Sequence, residues 1–191
     1  MDENDVVKAG MEVALRPLTD IAENALGLLG GDWLSAKRQR SRERLKQETE
    51  KILKDRGARM DADPSPSIAV PLISAAQDED REVLTGMWAK LTATALDPAT
   101  TKFYRREFVD VAKQLEPVDV LVLPYLLDNA EMRPSRREVI ASRLGETNDR
   151  VQLAFQNLDR LGLILEGKNP AFPSHPYVST LGREFLRAVG G

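Results

Sequence analysis

Between residues 4 and 34 the apolar positions Val7, Met11, Ala14, Leu15, Leu18, Ile21, Ala22, Ala25, Leu28 and Leu29 recur at intervals of three and four. That is the period of an amphipathic helix or a helix pair. Pro17 either starts a second helix or kinks a single one. Gly27, Gly30 and Gly31 weaken the end of the segment, and Asp32 can cap the next helix. From Trp33 to Arg59 the pattern thins to Leu34, Leu45 and Ile52, whose separations of eleven and seven residues keep them on one face. The remaining positions are largely charged, with Lys46 and Glu50, then Glu50 and Lys54, at the i,i+4 spacing of ion pairs. The pattern predicts a long, mostly solvated helix with a narrow seam for one partner helix, ended by Gly57. Residues 1–60 are thus expected to hold amphipathic and long charged helices.

Residues 61–67, DADPSPS, read as a linker, because Pro64 and Pro66 bar a continuing helix and the Asp and Ser residues favour solvated turns. Residues 68–116 read as a helical middle region. An apolar run from Ile68 to Ile73 leads to the acidic cluster Asp78, Glu79, Asp80 and Glu82, expected in the electropositive first turn of a helix. Leu84, Met87, Trp88, Leu91 and Ala95 then form one helical face, and Asp97-Pro98 ends it. Another helix is expected around Phe108, Val111, Ala112 and Leu115.

From Pro117 onward the pattern is that of a winged-helix-like domain, residues 117–191. One helix covers roughly 117–128, with Val120, Leu121, Leu123 and Leu127 apolar. A second covers about 135–144, with Ser135 as N-cap, Glu138 completing a capping box and Gly145 as C-cap. A third follows Thr147 and carries Val151, Phe155, Leu158 and Leu161 until Gly162 stops it. Leu163, Ile164 and Leu165 read as a strand, the loop GKNPAFPSHP follows, Tyr177 and Val178 return, and Thr180 caps a last helix with Phe185, Leu186 and Val189. The expected fold is mainly α, a helical N-terminal region followed by a C-terminal winged-helix-like domain with a small β-hairpin.

Composition narrows the chemistry. The 191 residues are 42% hydrophobic but only 5% aromatic, so Leu, Val, Ala and Ile must build the core. A charged fraction of 30% fits solvated helices, and a net charge of −3 argues against a general nucleic-acid coat. Cysteine is absent, which removes disulfides, thiolate nucleophiles and Cys-ligated zinc and suits a reducing cytosol. Asp2, Glu3 and Asp5 stand where a signal peptide would be basic, and no apolar run approaches the ~20 residues of a membrane span. A cytoplasmic protein is expected, with a peripheral position at the inner membrane face as the alternative.

Three blocks resemble the Abi-alpha family of bacterial abortive-infection-related proteins. They are GLLGGDWLSAKRQR at 27–40, then PLISAAQDEDREVLTGMWAKLTATALDP at 71–98 with REFVDVAKQLEPVDVLVL at 106–123, and finally NLDRLGLI at 157–164 with STLGREFLRA at 179–188. The middle block carries most of the weight, and the blocks' order matters more than any one of them. The resemblance implies a helical fold with a C-terminal winged helix and a role in phage defence, in which an infected cell halts phage propagation. It supplies no catalytic residues.

No group stands out for bond-making chemistry. The single histidine, His175, sits between Ser174 and Pro176 in an extended loop, whereas a catalytic triad needs a packed, preorganised imidazole. The acidic cluster at 78–82 lacks the spacing and central glycine of an EF-hand loop. Gly30-Gly31 is not followed by the Gly-Lys-Ser/Thr of a phosphate loop. We therefore expect no enzyme activity, no catalytic residues, no metal, no cofactor and no small-molecule substrate.

Two surfaces remain as candidates. The basic run Lys37, Arg38, Arg40, Arg42, Arg44 and Lys46, just after Trp33, suits an anion or a membrane surface, each cation contributing roughly 1 kcal/mol near anionic lipid. Its bland reading is a solvated helix balanced by Glu48, Glu50 and Asp55. On the third helix of the C-terminal domain, inward packing of the apolar set leaves Asp149, Gln152, Leu153, Gln156 and Arg160 outside. That face is poor in the cations DNA requires and suits protein contact better, although glutamines can read bases. The expected partner is a protein or a second copy, with DNA and peripheral membrane contact as alternatives.

Overall fold

In the computed structural model, which describes residues 32–58, 66–129, 137–165 and 176–190, the narrow seam becomes one buried edge of helix α1 (Asp32–Asp55). Leu45 and Leu53 are buried there and Ile52 is half-buried, amid exposed charged neighbours. The amphipathic segment at 4–31 lies outside the described residues. Met1–Arg40 and Ser41–Gly191 form two compact units. Gly57 closes α1 at a φ of +64°, with Ala58 N–H bonded to the Leu53 carbonyl, a left-handed cap that favours glycine.

Helix α2 (Pro66–Ala76) includes both the end of DADPSPS and the apolar run. A proline at the first helical position has its φ already set and lacks only an N–H that would go unpaired there. The helix buries Leu72 and Ala76 and turns Val70 and Ile73 outward. Helix α3 (Glu82–Leu96) buries all five residues of its predicted face. The acidic cluster is placed differently from the expectation, since Glu82 alone is in the first turn. Glu79 instead accepts the backbone N–H of Asp80 (3.1 Å) and Arg81 (2.9 Å) and the Arg81 guanidinium, holding a turn ahead of the helix. A 3₁₀ turn (Thr101–Phe103) and helix α4 (Glu107–Ala112) complete the middle region.

Helices α5 (Pro117–Asp128), α6 (Arg137–Leu144) and α7 (Asn148–Arg160) follow in the expected order. Strands β1 (Ile164–Leu165) and β2 (Tyr177–Val178) pair antiparallel, Ile164 opposite Val178 and Leu165 opposite Tyr177. Helix α8 (Thr180–Gly190) ends the chain's described part. The cap of α8 is Ser179 rather than Thr180: Ser179 Oγ accepts the Gly182 N–H at 3.0 Å and donates to the Gly162 carbonyl at 2.6 Å. β2 carries Ser179 into this corner, so its hydroxyl serves helix and hairpin together. Ser135 and the loop with His175 lie outside the described residues.

One core runs through both halves of the Ser41–Gly191 unit. Phe108 of α4 meets Phe185 of α8 edge to face, ring centres 5.4 Å apart and planes at 85°. Such a pair adds about 0.5–1.5 kcal/mol beyond the area it buries. Trp88, Leu91 and Leu123 are buried in the same cluster.

Candidate interaction surfaces

Helix α7 divides its apolar from its polar residues clearly, and its orientation follows the expectation. Thr147 Oγ1 accepts the Arg150 N–H at 3.3 Å as N-cap. Val151, Ala154, Phe155 and Leu158 are buried against α5 and α6. Asp149, Leu153, Gln156 and Arg160 are exposed and Gln152 is half-exposed. Leu153, at 63% relative exposure, is the most open of the large exposed apolar side chains among the described residues.

Behind this face stands a polar network absent from the sequence expectations. Asn157 Nδ2 donates to Asp119 Oδ2 at 2.7 Å and to the Gln114 carbonyl at 2.9 Å. Asp119 Oδ2 also accepts the Glu116 N–H at 2.8 Å, part of the reciprocal capping of α5. Burial pushes the Asp119 carboxyl above its ordinary value, and the bonds from Glu116 and Asn157 offset this only in part. Arg160 donates to Gln114 Oε1 at 3.0 Å and to Asn157 Oδ1 at 2.6 Å. Gln114, Glu116, Asp119 and Asn157, with Arg150, Leu153 and Ala154, line a cavity of about 420 Å³ between α5 and α7. The pattern Glu116-Pro117-x-Asp119 is a cap signal readable from sequence; the bond to Asn157, 38 residues on, is not.

The cations near α7 are already engaged. Arg160 is tied to the network above, and Arg150 pairs with Glu146 at 2.6 Å. A second basic feature was also missed. Around Phe103 lie the Lys102 ammonium (5.1 Å) and the Arg187 guanidinium (5.4 Å). Arg183 and Leu127 join Phe103 and Arg187 along one cavity of about 420 Å³. These residues are dispersed over the 3₁₀ turn, α5 and α8, so no local run of sequence marks them.

The basic run does form helix, but it is not one cationic face. A turn of 3.6 residues sets Lys37, Arg40 and Arg44 on one side of α1 and Arg38, Arg42 and Lys46 on another. Arg40 Nε donates to the Ala36 carbonyl at 3.3 Å, and Lys46 stands 3.9 Å from Glu50. The Trp33 side chain lies outside the described residues. No group of three metal-ligating side chains converges among the described residues. No described helix is long and apolar enough to cross a membrane.

Compared with known proteins, residues 37–189 match the family model described as abortive infection alpha. No curated protein and no solved structure gives a match.

Proposed function

The chain belongs to the abortive infection alpha family, and on that premise we propose that it serves phage defence by binding protein partners, a second copy among them, without bond-making chemistry of its own. Membership gives an abortive-infection-related role; the mode of action is inferred from the surface. The observation that carries it is Leu153, exposed at the centre of a polar helix face and beside a cavity. Leu153 offers apolar area that a partner could bury, with the polar groups around it as a rim and the adjoining cavity as a complementary recess.

Read as a winged helix, the C-terminal region would place α7 where DNA-binding relatives of that architecture carry their recognition helix. Its charge favours protein over DNA. Arg150 and Arg160 already have partners, and Asp149 would face phosphate. Division of the basic run into two stripes likewise reduces the charge that any one flat membrane would meet.

Phage plating on cells with and without the protein tests the role; equal plaque numbers across a broad phage panel would speak against it. Gel shift at low salt tests the DNA alternative, because phosphate contacts strengthen as salt falls. Sequence-independent retention there would displace the protein-binding reading.

A further inference from the structure

On the outward side of α7 four exposed residues share one stripe. Asp149, Leu153, Gln156 and Arg160 follow one another at spacings of four, three and four. On an α-helix these positions fall within roughly 60° of arc, opposite the buried Val151, Phe155 and Leu158. Alternating steps of four and three mark the seam along which two helices pack.

The ends of the stripe carry opposite charges that no direct ion pair within the described residues closes. Asp149 has no cation bonded to it; the neighbouring Arg150 is held by Glu146 instead. Arg160 donates to Gln114 Oε1 and Asn157 Oδ1, both neutral oxygens, and a guanidinium has donors to spare beyond these. Asp119 feels the charge of Arg160 from behind Asn157, without a bond between them.

Charge and symmetry together select the occupant. The pair Asp149 and Arg160 is centred on the same point as the pair Leu153 and Gln156, midway between Ala154 and Phe155. Laid antiparallel against a copy of itself about that point, the stripe sets Asp149 opposite Arg160 at both ends. Leu153 then lies opposite Gln156, and the two leucines are ~4.5 Å apart along the helix axis. Parallel alignment would instead oppose acid to acid and cation to cation. Closed two-fold pairing is also the commonest way in which a chain meets its own copy. Leu153 borders the cavity of about 420 Å³ between α5 and α7, which gives the opposing side chains a recess.

We propose that α7 pairs antiparallel with α7 of a second copy, Asp149 of each meeting Arg160 of the other across a centre of Leu153 and Gln156. The inference rests on the protein-binding reading of this face and names its partner. One helix from each copy covers less than the roughly 1,200 Å² at which stable interfaces begin, so the dimer is reversible, with a Kd on the order of 10–100 μM.

Sedimentation velocity on the full chain should show a monomer–dimer equilibrium in that range and nothing larger. Asp149→Arg alone and Arg160→Glu alone should each weaken it at least ~10-fold, because each sets like charges together at both ends. Mixed one to one, the two variants should dimerise with each other at least as well as the parent does with itself. Both substitutions in one chain should restore the parent affinity to within about threefold. The register is read separately. The chain has no cysteine, so Asp149→Cys takes a single nitroxide label. Carried on a copy without ¹⁵N, the label should broaden the Arg160 amide of a ¹⁵N-labelled parent copy more than its Asp149 amide. Arg160→Glu gives up the bonds to Gln114 and Asn157, so its unfolding midpoint is followed; the label experiment does not depend on that variant. A chain still monomeric at about 500 μM, a dimer indifferent to Asp149→Arg, no recovery on mixing, or broadening centred on Asp149 or away from α7 would overturn the pairing. A monomeric parent whose protection against phage is lost in Leu153→Asp would strike the pairing alone, with a different protein seated on α7. A dimer in this register whose protection survives Leu153→Asp would uphold the pairing and remove the protein-binding reading of the defence role.

Discussion

Gly182→Ala should be among the most damaging single-methyl additions to this chain. Gly182 is the third residue of α8, where the helix crosses the hairpin. A Cβ there would lie 2.1 Å from the Leu163 carbonyl oxygen and 2.8 Å from Val178 Cγ1. The first neighbour is backbone, so no rotamer change makes room. The same carbonyl accepts the Ser179 N–H at 2.9 Å, while Ser179 Oγ bridges the Gly182 N–H (3.0 Å) and the Gly162 carbonyl (2.6 Å). Pushing α8 outward therefore strains three hydrogen bonds as well as the packing. Overpacking costs about 1–3 kcal/mol, and each weakened bond about 0.5–1.5 kcal/mol. A total near 3 kcal/mol lowers the midpoint of a domain of about 150 residues by roughly 6–12 °C. Thermal unfolding followed by circular dichroism measures it, with Gly86→Ala as the control. Gly86 lies within α3 with open space where a Cβ would go, so alanine there should be neutral or stabilising by up to ~1 kcal/mol. A Gly182→Ala midpoint within about 1 °C of the parent would refute the close approach on which this reasoning stands.

Three further outcomes are expected. Asp119→Ala should cost about 1–3 kcal/mol in denaturant titration, because it strands the Asn157 amide and the Glu116 N–H, whereas Asp119→Asn keeps an acceptor and should cost less. Because burial raises the Asp119 carboxyl, folding disfavours its ionised form, so its contribution to stability grows as pH falls through that raised value toward the ordinary 3.8; Asp119→Asn should remove this part of the pH slope. Glu79 has the opposite sign: burial works upward on it, but the bonds and charge of Arg81 outweigh that and hold its carboxyl below 4.5, so its stabilisation is present above 4.5 and lost as pH falls through the lowered value. Glu79→Gln should flatten that acid limb, and an unchanged limb would mean that the Arg81 turn contributes nothing.

What the sequence disclosed and what it hid divide along physical lines. Faces defined by local period were readable: Leu84, Met87, Trp88, Leu91 and Ala95 are all buried, and Val151, Phe155 and Leu158 turn inward so that Leu153 faces out. The glycine stops at 57, 145 and 162 were readable too, and all three have positive φ. Hidden features depend on residues far apart in the chain. Asn157 finds Asp119 across 38 positions, and Arg42 finds Gln77 across 35. The Ser179 cap was missed because Thr180 offers an equally good hydroxyl one residue later; only the position of β2 decides between them. The six cations from Lys37 to Lys46 are one run in sequence, and helical geometry divides them between two sides of α1. In the Pro66–Ala76 segment, Pro66 begins the helix at its first turn, where a proline fits, and Pro71 is carried inside it.

On the proposed mode of action the protein works through shaped surfaces, with α7 foremost. The most direct measurement of this is phage plating on cells expressing the parent chain or Leu153→Asp with Gln156→Ala, paired with the unfolding midpoints of the purified proteins. Both side chains are exposed, so each substitution should change stability by no more than about 0.5 kcal/mol. Loss of protection at an unchanged midpoint is expected. Full protection by a folded variant that lacks the α7 anchor would contradict it.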